Sequence, residues 1–227
     1  QFGMRAGAQM ASSNEFTINI LGKGAHAALP HNGIDPVMIA VNLAQALQTI
    51  LTRNKNPIDS AVLSITQIHA GEADNVIPNT AMLNGTVRTF TLEVLDMIES
   101  RMREITEGIA SAFGAQIEFN FHRNYPPTIN SSKEANFCAD VARSIVGNSN
   151  VFDNIEATMG AEDFSYFLME KPGCYVFAGN GDGTHRSAGH GLGPCNLHNS
   201  SYDFNDDLIP LGATYWVRLV QDWFAKA

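Results

Sequence analysis

The sequence predicts an α+β fold: a ferredoxin-like βαββαβ sandwich joined to part of an α/β domain. Three observations carry this. Two segments have apolar residues at helical spacing, two have the alternation of strands and two more are β-rich runs, and their order from residue 15 to 123 is strand, helix, strand, strand, helix, strand. After Tyr125-Pro126-Pro127 the pattern changes to alternating helix and strand.

Residues 1–14, rich in Gly, Ala, Ser and Met, show no strong period and read as a lead-in. Phe16, Ile18 and Ile20 then alternate with polar neighbours as in a strand closed by Gly22-Lys23-Gly24. Asp35-Pro36 supplies an N-cap and a first-turn proline, and Val37, Ala40, Val41, Ala44, Leu47 and Leu51 form the expected buried face of a helix ending near Asn54 to Pro57. Two β-rich runs follow, 61–68 and 82–90. A second helix has its stripe at Leu95, Ile98, Met102, Ile105, Ile109 and Ala112, and Gly114 suits its left-handed end. Ile117, Phe119 and Phe121 make the fourth strand. Further on, helices are expected over 133–146, just after Glu162-Asp163 and over 208–224, with a strand at 174–178. The domain reading is thus a lead-in over 1–14, a sandwich over 15–125 and an α/β part over 126–227.

Composition narrows the partner. A formal charge of −9 without any Lys/Arg cluster argues against nucleic acid or an anionic membrane surface and favours a small molecule. No run approaches the roughly 20 apolar residues of a membrane span, and residues 1–14 do not have the pattern of a secretory leader. Cys138, Cys174 and Cys195, odd in number and scattered, suit reduced thiols in the cytoplasm.

Four polar segments exceed what the fold requires. In Gly22-Lys23-Gly24-Ala25-His26-Ala27-Ala28-Leu29-Pro30-His31, small neighbours let a ligand approach His26, whose imidazole can donate to a developing oxyanion; the alternative is a loop histidine bonded to backbone. His31 reads as a local cap. Asn75, within 71–79, either binds a carboxylate or carbonyl or makes an Asx turn. Arg88, in a neutral β run, has a planar fork suited to a carboxylate, unless it simply faces solvent. The segment His185 to His198 carries three histidines and Cys195 at spacings unlike common structural zinc sites, so His185 and His190 read as solvated loop residues. His198 stands at an anchored loop end before 202–206. It looks like a metal ligand, yet a catalytic ion needs about three protein ligands and the sequence offers His198 no convincing partners.

In order along the chain, GKGAHAALPH with a following DP, SITQIHAGEADNVIPNTAMLNGTVRTF, MGAEDFSYF and GPCNLHNSSYDFND resemble the hippurate hydrolase, aminoacylase and carboxypeptidase superfamily of dinuclear-metal amidohydrolases, most closely its hippurate-hydrolase-like branch. The resemblance implies a catalytic α/β domain interrupted by a ferredoxin-like lid used for homodimerisation, and a divalent metal centre of zinc, manganese or similar ions. The implied reaction is hydrolysis of an N-acyl amino acid or related amide beside a free carboxylate. It further implies that His26 steadies the oxyanion, often across a dimer interface, that Asn75 and Arg88 bind the substrate carboxylate, and that His198 is the last metal ligand. The 160–164 segment would line the cleft. The family's other metal ligands and its general-base glutamate lie before the lid and have no counterpart in residues 1–14. The expectation is therefore a fragment that by itself holds no metal; the competing reading is a non-catalytic module that dimerises or binds a carboxylate.

Overall fold

The computed structural model describes residues 1–186 and 195–225. The chain forms two compact units, one of residues 8–128 with 157–169, the other of 1–7, 129–156 and 170–227. These borders differ from a sandwich confined to 15–125. Residues 1–7 are also more than a lead-in. Phe2–Gly3 forms a strand parallel to Val151–Phe152 and antiparallel to Phe177–Ala178, because Phe2 and Met4 are apolar and need cover.

In the first unit, strands β1 (Ser13–Leu21), β2 (Ala61–Ala70), β3 (Thr80–Thr89) and β4 (Gln116–Tyr125) make an antiparallel sheet in the order β2-β3-β1-β4. Helices α1 (Pro36–Thr49) and α2 (Leu92–Phe113) connect β1 to β2 and β3 to β4. Strand alternation decides which side chains pack with the helices: Phe16, Ile18 and Ile20 of β1 and Leu83 and Val87 of β3 join Leu43, Leu47, Leu95, Ile98 and Met102 in one core. The intervening residues Glu15, Thr17, Asn84, Thr86 and Arg88 belong to the opposite, open face.

Asp35 caps α1 by accepting from the N–H groups of Val37 and Met38 at 2.9 and 3.4 Å. The buried face of α1 differs from the expected stripe: Pro36, Ile39, Ala40, Leu43 and Leu47 are buried, while Val37 and Val41 are exposed. A nearly all-apolar helix leaves its inward face to be chosen by packing rather than by pattern. A π-helical turn, Ile50–Asn54, continues α1 to the expected end. Gly114 (φ +69°) closes α2, its N–H directed at the carbonyls of Ala110 and Ser111.

In the second unit, α3 (Ser132–Val146) and α4 (Leu208–Ala225) sandwich their own core, where Phe2 stacks on Tyr215 at 4.9 Å beside Cys138, Ala142 and Val151. The expected strand over 174–178 is reduced to Phe177–Ala178. In the 157–169 stretch of the first unit, a short helix, Ser165–Glu170, follows Glu162-Asp163 as expected. The outer face of α4 leaves Ile209, Trp216, Val217, Val220 and Phe224 exposed. No helix among the described residues is long and apolar enough to cross a membrane.

Candidate active-site residues

The loop after β1 is strapped to the segment 75–79. Ala25–His26 pairs antiparallel with Val76–Ile77, the N–H of Ala27 donates to the carbonyl of Asn75 at 2.9 Å, and Lys23 exchanges two backbone bonds with Ile34. Asn79 fastens the loop's start: its side-chain oxygen accepts from Gly24 N–H and its backbone carbonyl from Gly22 N–H, both at 2.8 Å. A Cβ on Gly33 would lie 2.6 Å from the Lys23 carbonyl, so this close approach of two backbones requires glycine. The glycines and small residues serve to bring two loop backbones together.

His26 is exposed at the end of this strap, and its Nδ1 accepts from Ala28 N–H at 3.0 Å. An Nδ1 used as acceptor places the proton of the neutral imidazole on Nε2, an assignment made from the hydrogen-bond geometry. The backbone bond that could have marked His26 as an ordinary loop residue thus also leaves an outward N–H donor. Asn75, also exposed, is brought next to His26 through Ala27. Asn79 carries the tethering and was not singled out by sequence; its only cue is its place one residue after Pro78.

Arg88 lies elsewhere. It is half-buried on β3, opposite Val62 of β2, on the open face, and among the described residues its guanidinium has no ion-pair or hydrogen-bond partner. Thr80, at the far end of β3, pairs with Leu21, where the chain leaves for His26. Eight residues of strand separate Thr80 from Arg88, roughly 26 Å at the usual rise. Within one chain, then, His26 and Asn75 sit at one end of the sheet and Arg88 at the other. Arg88 is braced from below by a buried cluster. Asn14 donates to the Val87 carbonyl at 3.0 Å and to Ser12 Oγ at 2.9 Å, and Ser12 Oγ accepts from Thr89 N–H at 3.0 Å.

His198, in the other unit, is exposed and has φ +66°, the left-handed region that costs a non-glycine residue about 1–3 kcal/mol. Turns hold it there: Asn199 N–H donates to the Asn196 carbonyl at 3.1 Å, and Tyr202 N–H to the Asn199 carbonyl at 3.0 Å. The following backbone converges on Asp203, whose carbonyl accepts from Asn180 Nδ2 at 2.8 Å and from His185 Nε2 at 2.9 Å. His185 is therefore a partly buried tether rather than a solvated loop residue, because only a ring N–H reaches that carbonyl. His190 lies outside the described residues. His31, in a short 3-10 turn, is exposed.

Among the described residues no group of three or more His, Cys, Asp and Glu could hold a metal ion. The donors of these residues taken alone do not fit a dinuclear centre, and His198 can offer one ligand at most.

Residues 11–112 match the peptidase dimerisation domain family. The chain is 42% identical over 183 residues to an N-acetyl-L-cysteine deacetylase of Bacillus subtilis, covering 81% of this chain and 43% of that protein. It is 35% identical over 219 residues to a hippurate hydrolase of Campylobacter jejuni, covering 96% and 54%. A solved Bacillus subtilis structure described as a dinuclear metal binding peptidase from the M20 family superposes with a TM-score of 0.70 at 29% identity, over 96% of this chain and 51% of that one. The chain spans about half the length of the curated relatives it matches. The same half carries the βαββαβ unit and both strapped loops, and over that span the chain is similar to proteins of the M20 peptidase family.

Proposed function

We propose that the protein acts as a metal-dependent amidohydrolase on N-acyl amino acids or related peptide-like amides. Residues 15–125 serve as its ferredoxin-like lid, and 126–227 as the C-terminal part of an α/β catalytic domain. The observation that carries this reading is His26, whose Nε2–H is presented outward from a loop with no slack, as a donor to a developing oxyanion must be. Arg88, charged and unpaired on a half-buried face, grips the substrate carboxylate through its two parallel N–H groups, and the Asn75 amide adds a hydrogen bond. His198 gives one ligand to a divalent metal centre of zinc, manganese or a similar ion. Its left-handed backbone, held by turns, supports that role, since strain of this kind is kept where position matters.

The separation of His26 from Arg88 supports a homodimer in which one chain supplies His26 and Asn75 to a site whose Arg88 comes from the other. The sandwich has a surface suited to pairing. The edge strand β2 carries no charged side chain and exposes Ile68, and α1 exposes Val37, Met38 and Val41. The other edge, β4, carries Glu118 and Arg123, the latter paired with Asp96 and Glu99. The test is an assay of the full-length protein, loaded with zinc or manganese, against a series of N-acyl amino acids and the corresponding amides lacking the carboxylate. Hydrolysis that requires the carboxylate is expected. No turnover of any member, by a folded and metal-loaded protein, would remove the proposal.

A further inference from the structure

The cysteines Cys138 and Cys174 lie outside the residues assigned above, yet they are packed together. Cys138 is buried on the inward face of α3 with Ala135, Ala139 and Ala142. Cys174 packs on the same cluster and is only partly covered. Its place is fixed by backbone. The Gly173 carbonyl accepts from Ser131 N–H at 3.0 Å, and both main-chain groups of Tyr175 bond the Asn130 side chain at 2.7 and 3.0 Å. The segment 173–175 is thereby tied to the start of α3, and Cys174 packs on the same small cluster that holds Cys138. The buried Tyr215 hydroxyl lies beside Cys138 without closing a hydrogen bond of ordinary length and angle.

We infer that Cys138 and Cys174 form a redox-responsive dithiol site that closes to a disulfide when a hydroperoxide reaches it. The thiol of Cys174 donating to the Cys138 sulfur holds Cys138 down to about 7 against burial, which pushes it up, and Cys174 is pushed above the ordinary thiol value. The pair therefore loses its first proton readily and its second with difficulty. In the first step the Cys138 thiolate attacks a peroxide oxygen. The O–O bond breaks and, with the thiol proton returned, a sulfenic acid and water (or an alcohol) result. The Cys174 sulfur then attacks the sulfenic sulfur, its S–O bond breaks, and the hydroxyl leaves with the Cys174 proton as water. Two electrons pass from the two sulfurs to the peroxide. The partly exposed Cys174 side gives the oxidant its approach.

Treatment of the folded chain with hydrogen peroxide, followed by thiol titration and peptide mapping, tests this. Two of the three thiols should disappear together, a peptide linking residues 138 and 174 should appear, and dithiothreitol should restore both. Cys138→Ser and Cys174→Ser should each abolish the link, whereas Cys195→Ser should not. The link should form faster as the pH rises through about 7, because the attacking species is the thiolate. In urea the preference for this pair should be lost. Links involving Cys195 in the folded chain, oxidation to sulfinic or sulfonic acid without a link, or the same mixture of links in urea as in buffer would each overturn the inference.

Discussion

The Nδ1 of His26 accepts the Ala28 backbone N–H at 3.0 Å, so the imidazole is oriented by its own loop and needs no carboxylate partner to choose its tautomer. An oxyanion donor acts chiefly in the transition state, so in the full-length enzyme His26→Ala should lower kcat by roughly 100-fold or more with little change in KM. Nitrogen NMR of labelled protein should find the proton on Nε2. A proton on Nδ1, or a variant with normal kcat, contradicts the role.

Arg88→Ala should instead raise KM, because a carboxylate grip is shared by ground and transition states. The roughly 26 Å between the two ends of β3 also makes complementation informative. His26→Ala and Arg88→Ala subunits, each inactive or weak alone, should regain roughly a quarter of wild-type activity when mixed at equal amounts and allowed to exchange. Half of the dimers would then be hybrids with one intact site each. Mixing without rescue would mean that both residues act within one chain.

The strap predicts a class of variants that leave the fold and impair the donor. Asn79→Ala removes the acceptor for Gly24 N–H, and Gly33→Ala forces a Cβ to within 2.6 Å of the Lys23 carbonyl. Each should reduce kcat by about 10-fold, since a displacement of about 1 Å is costly in catalysis. The melting temperature should shift by only a few degrees, the change typical of about 1 kcal/mol. A core truncation behaves oppositely: Ile98→Ala, at a fully buried position, should cost about 2–5 kcal/mol in stability and spare the tautomer of His26.

Residues 1–227 alone are expected to hydrolyse no N-acyl amino acid, because the described donors assemble no metal centre. Chelator-sensitive turnover by this chain would disprove that. In the full-length enzyme, His198→Ala should weaken metal binding by roughly 100-fold or more, measured as metal content after dialysis.

Much of the sandwich was legible because its signals are local. The alternation of Phe16, Ile18 and Ile20, the Asp35-Pro36 cap and Gly114 each specify their element within a few residues, and each is found in place. The inward face of α1 was not legible, because Val37, Ile39, Val41 and Leu43 are all apolar and only the sheet beneath selects among them. Nor was the role of Phe2: a two-residue strand has no period, and its partners are about 150 and 175 residues away. At the candidate site the residue types of His26, Asn75, Arg88 and His198 could be read, but not their distribution along the sheet. The tethers Asn79 and Asn180 act through backbone groups that leave no pattern in a sequence.

The two compact units interleave along the chain, which passes from one to the other four times between residues 7 and 170. A gene fragment for residues 15–125 would therefore omit 157–169, with Tyr166, whose ring meets Tyr125 edge-on at 6.2 Å and whose hydroxyl donates to the Asn124 carbonyl. It would also omit Ser12, which braces the strand of Arg88. Swapping such sandwiches between homologues by a single cut-and-paste at 15 and 125 would thus split interactions belonging to one body, and chimeras should succeed only when 8–14 and 157–169 travel with the insert. Recombination in nature faces the same rule: two separated stretches of sequence, 8–128 and 157–169, must be inherited as one.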